Sequence, residues 1–232
     1  MFFAFIGGRK ITNINLERVG KNIDGTWIFR DVTADFESGK IYGLIGKNGT
    51  GKTMLLKCLC GLSQISEGQI TINGKILGEE MNIPESVGVI IETPGFLPNL
   101  SGFSNLKYLA KLKNKINDTQ IKQAMSIVGL QPDDRKRVSK YSLGMRQRLG
   151  IAQAIMENPD ILLLDEPMNG LDSSGVADIK QLMKDLCCSN KIIIMASHHK
   201  EDICELCDLI YVLESGCLRQ EKPTLLHDTV IL

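Results

Sequence analysis

No apolar run in this chain approaches the roughly 18 residues that a membrane-crossing helix requires. The longest internal runs, Ile161 to Leu164 and Ile192 to Ala196, have the length of buried strands. The start, Met-Phe-Phe-Ala-Phe-Ile, is apolar for only a short stretch. No basic residue precedes it and no small-residue cleavage site follows, so a secretory signal is not expected. Charge of one sign is missing too: 27 Lys plus Arg balance 27 Asp plus Glu. That balance argues against a nucleic-acid partner, because such partners select a basic excess. There is no internal repeat, low-complexity tract or long heptad run. The cysteines, seven in all, include Cys58-x-Cys60, Cys187-Cys188 and Cys204-x-x-Cys207. None of these pairs has a second cluster or a His at zinc-finger spacing. Their odd number and the lack of an export signal imply reduced, mostly buried thiols in a cytoplasmic protein.

What remains is ordinary globular material, 232 residues with 43% hydrophobic and 23% charged side chains, enough for one full core. Apolar runs about five residues long alternate with amphipathic stretches, the pattern of an α/β domain with a mostly parallel sheet. Ile41 to Ile45 reads as a buried strand running into a glycine-rich turn, with a helix from Thr53 to Leu59. Val87 to Ile91, Ile161 to Leu164 and Ile192 to Met195 read as further central strands, and Leu209 to Leu213 with Leu218 to Arg219 as a late hairpin. Ile14 to Glu17, Trp27 to Val32 and Gln69 to Ile72 suggest antiparallel strands near the start. Between Pro94 and about Asn158 the texture is helical. Ile121, Ala124, Met125 and Val128 stand at i, i+3, i+4 and i+7 with Gly129 as the stop, and Met145, Leu149, Ala152 and Met156 repeat the spacing. The expected organisation is a single domain over 1–232. Its α/β core covers 1–93 and 155–232, and a helical block is inserted at about 94–154.

Gly46-Lys47-Asn48-Gly49-Thr50-Gly51-Lys52-Thr53 fits G-x-x-x-x-G-K-[ST] between a strand and a helix. Its glycines let successive N–H groups curl toward phosphate oxygens at the positive end of the following helix. Lys52 reaches the β/γ-phosphates in such a loop, and the Thr53 hydroxyl ligates Mg²⁺. Ile161-Leu-Leu-Leu-Asp165-Glu166 places two carboxylates at the carboxyl end of a buried strand, where α/β sheets put their ligands. Asp165 is the candidate for Mg²⁺. Glu166 is the candidate base that orients and deprotonates the attacking water.

A third segment separates this chain from other phosphate-loop proteins. Tyr141-Ser142-Leu143-Gly144-Met145-Arg146-Gln147-Arg148 lies about twenty residues before the Asp-Glu strand and opens a helix. It resembles the signature motif of ATP-binding cassette (ABC) ATPases, with Ser142 at the family's serine and Gly144 at its second glycine. Leu143 replaces the first glycine and Met145 the glutamine. Asn169-Gly170-Leu171-Asp172 matches the D-loop, and Ser197-His198 the switch histidine, with His199 adjacent as the other candidate. The resemblance runs from about Ile14 to Gly216. It implies a RecA-like core with an N-terminal antiparallel subdomain and an inserted helical subdomain, ATP and Mg²⁺ as ligands, and ATP hydrolysis. It implies also a head-to-tail dimer, in which Ser142 and Gly144 of one copy meet the γ-phosphate held by the other. Separate transmembrane permease subunits complete the picture, and they place the chain peripherally on the inner face of the cell membrane.

Two positions depart from the family pattern. Where the family has a glutamine that touches Mg²⁺, this chain has Glu92, in Ile90-Ile91-Glu92-Thr93-Pro94-Gly95-Phe96. The family's adenine-stacking aromatic falls in register with Ile23, so Trp27 is the nearest candidate, although alternation in Trp27 to Val32 equally allows it a core position. The wording around Ser142 and Glu92 resembles the bacitracin-type and lantibiotic-immunity exporters. An exporter of another substrate, or a soluble ABC ATPase with a non-membrane partner, are the alternatives.

Overall fold

A computed structural model describes residues 12–221; the apolar stretch at the start lies outside the described residues. The chain opens with a long hairpin, β1 (Asn13–Ile23) and β2 (Thr26–Glu37). Asp24 and Gly25, both at positive φ (48° and 84°), make the tight turn between them. Then follow β3 (Lys40–Ile45), α1 (Lys52–Leu59), β4 (Glu67–Ile72), the short β5 (Lys75–Ile76) and β6 (Val87–Ile90). Helices α2 (Gly102–Lys113), α3 (Asp118–Ile127) and α4 (Leu143–Ile155) intervene before β7 (Ile161–Asp165). The chain continues through α5 (Ser173–Cys188), β8 (Ile192–Ser197), α6 (Lys200–Leu206), β9 (Leu209–Glu214) and β10 (Cys217–Glu221).

These strands form two sheets. One is antiparallel, in the order β2-β1-β4-β5; the other runs β10-β9-β3-β8-β7-β6 and is parallel except for the final hairpin. The central strands are apolar on both faces because both faces are covered. Ile41, Leu162, Leu164, Ile193 and Met195 point into a core shared with α2 to α6. Tyr42, Leu44, Ile161, Leu163 and Ile194 point the other way, onto α1 and the antiparallel sheet. The helices between β6 and β7 therefore share one apolar cluster with the sheet.

Local chemistry sets where the inserted helices begin and where α3 ends. Ser101 caps α2, Asn117 and Gln120 form a reciprocal box on α3, and Gly129, at φ 76°, follows the end of α3. Two expectations needed correction. Val87–Ile90, expected among the central strands, is the edge of the sheet and pairs only with β7. It reads as apolar because α4 covers it: a Cβ on Gly88 would lie 2.0 Å from the Ala154 carbonyl oxygen. The thiols are not mostly buried either. Cys58, Cys60 and Cys207 are buried, but Cys188 and Cys217 are exposed, being carried on the end of α5 and on the outer strand β10.

Lys191 is an ionisable group with almost no access to water, 2% exposed, at the start of β8, where its ammonium donates to the Pro159 carbonyl. Burial pushes it down to about 8, against the opposing pull of Asp160. The unfolded chain keeps this proton up to the ordinary lysine range. Between about pH 8 and about pH 10.4 the unfolded state therefore binds more protons, and stability rises with pH. Lys191→Met removes this dependence. We expect wild type to gain about 2 kcal/mol on the variant between about pH 7 and about pH 9.5, at about 1.4 kcal/mol per pK unit. Urea midpoints at the two pH values measure it, and parallel curves for the two proteins would contradict it.

Candidate functional site

The site is assembled where β3, β7 and β8 end on the same side of the sheet. After Ile45 the backbone turns through Gly49 (φ 81°) and Gly51 (φ 104°), a conformation open to glycine. Gly51 also sits under β2, and a Cβ there would lie 2.8 Å from Ile28 Cγ2. Thr50 Oγ1 closes the turn by donating to the Lys47 carbonyl at 3.0 Å. Lys52 is buried, and its ammonium donates to the carbonyls of Gly46 (2.7 Å) and Lys47 (3.1 Å). The loop from Gly46 through Asn48 to Thr53 is thereby a closed ring of backbone around one cation.

Thr53, in the first turn of α1, donates its hydroxyl to Asp165 Oδ2 at 2.6 Å. Asp165 is the last residue of β7 and is 9% exposed. Burial raises its pKa and the Glu166 charge adds to that, while the Thr53 bond, Lys52 and the Glu92 N–H act the other way. Glu166 follows with φ 49°, a left-handed conformation unusual outside glycine. Its carboxylate is held from β8: Ser197 Oγ donates to Oε2 at 3.1 Å, His198 N–H to Oε1 at 3.0 Å, and His198 Nδ1 lies 2.7 Å from Oε1. His199 packs its ring 4.0 Å from that of His198 and makes no bond to Glu166. Of the two histidines, His198 is the one joined to the carboxylate.

Ser142 caps α4, accepting from Met145 N–H at 3.2 Å. Gly144 leaves room for the neighbouring loop, since a Cβ there would be 2.9 Å from the Gly170 carbonyl oxygen. Asp172 caps α5 through the N–H of Gly175, and that bond holds its carboxyl below the usual range. Among the described residues, no hydrogen bond joins Ser142 to the loop at 46–53 of its own chain.

Two candidates behave differently from the rest. The Glu92 carboxylate pairs with Lys57 Nζ at 2.5 Å, and its backbone N–H acts to lower the Asp165 pKa. Trp27 is not a core residue. It is 40% exposed at the hairpin tip beside Ile23, with the Arg30 guanidinium 4.5 Å above its ring. Phe29 is the β2 aromatic that is buried. A cavity of about 230 Å³ joins Glu92, Arg146, Gln147, Asp165, Glu166 and Asn169. A larger groove of about 760 Å³, between the end of α1 and β4–β5, holds none of the candidate residues.

The family described as "ABC transporter" matches residues 29–169, a span that takes in the loop at Gly46, the Ser142 segment and Asp165-Glu166. The chain is 45% identical to the ABC transporter ATP-binding protein YybJ of Bacillus subtilis over 91% of its length and 97% of that protein. The chain belongs to the ABC transporter family. It is also 40% identical to the bacitracin transport ATP-binding protein BcrA of Enterococcus faecalis, over 90% of this chain and 68% of that one. Identity to the lantibiotic transport ATP-binding protein SrtF of Streptococcus pyogenes is 32%, over 90% of each. Among solved structures, cbiO1 of Clostridium perfringens, part of the ABC transporter complex cbiONQ, superposes with a TM-score of 0.80 at 24% identity, covering 93% of this chain and 90% of that one. The dimeric bacterial ABC transporter cassette MJ0796 does so at 0.81 and 22%, covering 90% and 98%. The fold is thus that of the ABC cassettes, and the subunit is an ATP-binding P-loop ATPase.

One residue of the Ser142 segment had no role in the sequence reading. Gln147, buried on α4, donates its side-chain amide to the carbonyls of Glu166 (3.2 Å) and Pro167 (3.0 Å). It ties the helix that Ser142 opens to the backbone that carries the Glu166 carboxylate. Its signal was faint: a polar side chain one helical turn from Ile151, inside a buried stripe.

Proposed function

We propose that ATP seated on Gly46 to Thr53 is cleaved with Glu166 as the base for the attacking water and His198 as its partner. Ser142 and Gly144 of a second copy complete each site. The observation that carries this reading is the Glu166 carboxylate, fixed by Ser197 and His198 and standing next to Asp165 and Thr53. A base has to be aimed before it can be effective, and the Ser197 hydroxyl, the His198 N–H and the His198 ring aim this one from the end of β8.

Mg²⁺ fits the donors. The Thr53 hydroxyl and the Asp165 carboxylate are hard oxygen ligands already 2.6 Å apart. Asp165 is a buried carboxylate whose pKa burial raises, so a cation beside it offsets a real cost. Mg²⁺ characteristically takes one or two protein oxygens and fills its shell with phosphate and water. When bound it supplies charge neutralisation across the β- and γ-phosphates. Lys52 gives a second cationic contact, and the backbone N–H groups of the loop orient the chain of phosphates.

Closure of two copies over ATP, and their opening after hydrolysis, is the switch that drives transmembrane permease subunits. Among the described residues no helix is long and apolar enough to cross a membrane. We assign the motor to the inner face of the cell membrane, as a cytoplasmic, peripheral subunit held there by its permease partners. The cargo we assign is an antimicrobial peptide of the bacitracin or lantibiotic type, exported or kept out as immunity. Relatives named for those transport systems support it, and so does the wording of the Ser142 and Glu92 segments.

A pull-down from detergent-solubilised membranes of the native host tests the transporter half. We expect polytopic membrane proteins to co-purify, and Glu166→Gln in the same host to raise sensitivity to bacitracin or a lantibiotic. Recovery of a soluble partner with unchanged sensitivity would sink that half and leave the ATPase intact.

A further inference from the structure

Thr53 and Lys57 stand at i and i+4 on α1, so they project from one face of that helix. Thr53 donates to Asp165 and Lys57 pairs with Glu92. The Glu92 N–H also acts on the Asp165 carboxylate, lowering its pKa, so the two pairs on α1 meet next to the ends of β6 and β7. Glu92 has a left-handed backbone, φ 60°, and its carboxylate lies on the α1 side while its amide faces Asp165.

The charges give this arrangement a purpose. Asp165, Glu166 and Glu92 all line the same small cavity, next to the loop that takes a polyphosphate. Lys52 is committed to the loop carbonyls, and among the described residues Arg146 is the one cation that lines that cavity. A third carboxylate, left bare, would repel the ligand. Lys57 is less exposed than Glu92 (28% against 64% for the side chains), so the ammonium is the anchored member of the pair.

We propose that Lys57 is a positioning residue for the nucleotide site: its ammonium draws the Glu92 carboxylate onto α1 and neutralises it. This keeps a surplus negative charge away from the phosphates and reserves Thr53 and Asp165 for the metal. The inference rests on the reading of Gly46 to Thr53 as the nucleotide loop. It makes the Lys57–Glu92 pair a unit, in which either residue alone is harmful or idle.

The test is equilibrium binding of a fluorescent ATP analogue to the purified chain, in EDTA and in Mg²⁺. Lys57→Gln frees Glu92, and metal-free binding weakens by about three- to tenfold, the scale of one unscreened neighbouring charge near a surface. The loss shrinks in Mg²⁺, because the freed carboxylate can turn to the metal. In a Glu92→Gln background the Lys57→Gln change has no further effect, and Lys57→Arg preserves wild-type binding. Equal weakening by Lys57→Gln with and without Glu92 would overturn the proposal, since Lys57 would then merely support α1. Unchanged metal-free binding in Lys57→Gln would overturn it as well. Lys52→Ala separates the two readings: it abolishes binding if the loop is the nucleotide site. Wild-type binding that survives Lys52→Ala refutes that reading and this proposal together.

Discussion

Glu166→Gln is expected to lower ATP turnover by about 10²–10⁴-fold while ATP binding stays within about twofold of wild type. The substitution keeps size and shape, so the neighbours stay in place. The Ser197 hydroxyl can rotate to accept from the new amide, and the His198 N–H keeps an oxygen acceptor at Oε1. What disappears is the capacity to take a proton from water. Lys52 and the loop it is bonded to lie on a different strand–helix junction and are untouched. Phosphate release under saturating ATP measures the first quantity and calorimetric titration the second. A variant that keeps turnover within about tenfold of wild type would move the base elsewhere. Sedimentation with ATP adds a second readout: the variant should accumulate as a dimer, because closure survives and opening does not.

Gln147→Leu is expected to lower turnover by about ten- to hundredfold with nucleotide affinity within about twofold, since a displacement near 1 Å at a reacting group costs that much. Leucine fills the space of the glutamine but leaves the buried Pro167 carbonyl without its donor, while the Glu166 carbonyl keeps only the Asn169 N–H at 3.1 Å. Such a loss costs about 1–3 kcal/mol of stability. The left-handed turn at Glu166 then loses the contact that holds it from below, and the carboxylate loses its aim. A split in which kcat falls while binding persists distinguishes positioning from collapse of the site. If binding and turnover fell together, Gln147 would be a packing residue only. Gln147→Glu provides a further check, since it keeps the length and removes the donor.

Much of this was legible before the structure. Ile41–Ile45, Ile161–Leu164 and Ile192–Met195 announced themselves because strands buried on both faces cannot hide their composition. The loop at Gly46 was legible because a phosphate cradle dictates residue type at each step, and Gly129 because only a left-handed stop fits there. The first hairpin was read as too short for a physical reason. Arg18 (φ 47°) and Asp31 (φ 54°) insert bulges that shift the pairing between β1 and β2, so period-two alternation fails in mid-strand. The orientation of Glu92 was hidden because a left-handed backbone at a non-glycine residue leaves no mark in composition. Trp27 was ambiguous because alternation says which face a residue is on, and not where along the strand the cover ends. Gln147 was hidden because its partners are backbone carbonyls, which every residue carries alike.

The two bonds from Lys52 to the carbonyls of Gly46 and Lys47 set a threshold for what the loop will accept. The Lys52 ammonium already has two backbone partners, so a ligand must displace existing bonds to reach it. A ligand displaces those carbonyls only if it offers the ammonium more than they do. It must also engage several of the backbone N–H groups around the ring at once. A single free phosphate meets part of that demand; a chain of phosphates spanning the ring meets all of it. We expect selectivity for polyphosphate over the abundant inorganic ion to follow from a lysine that is already bonded to its own loop.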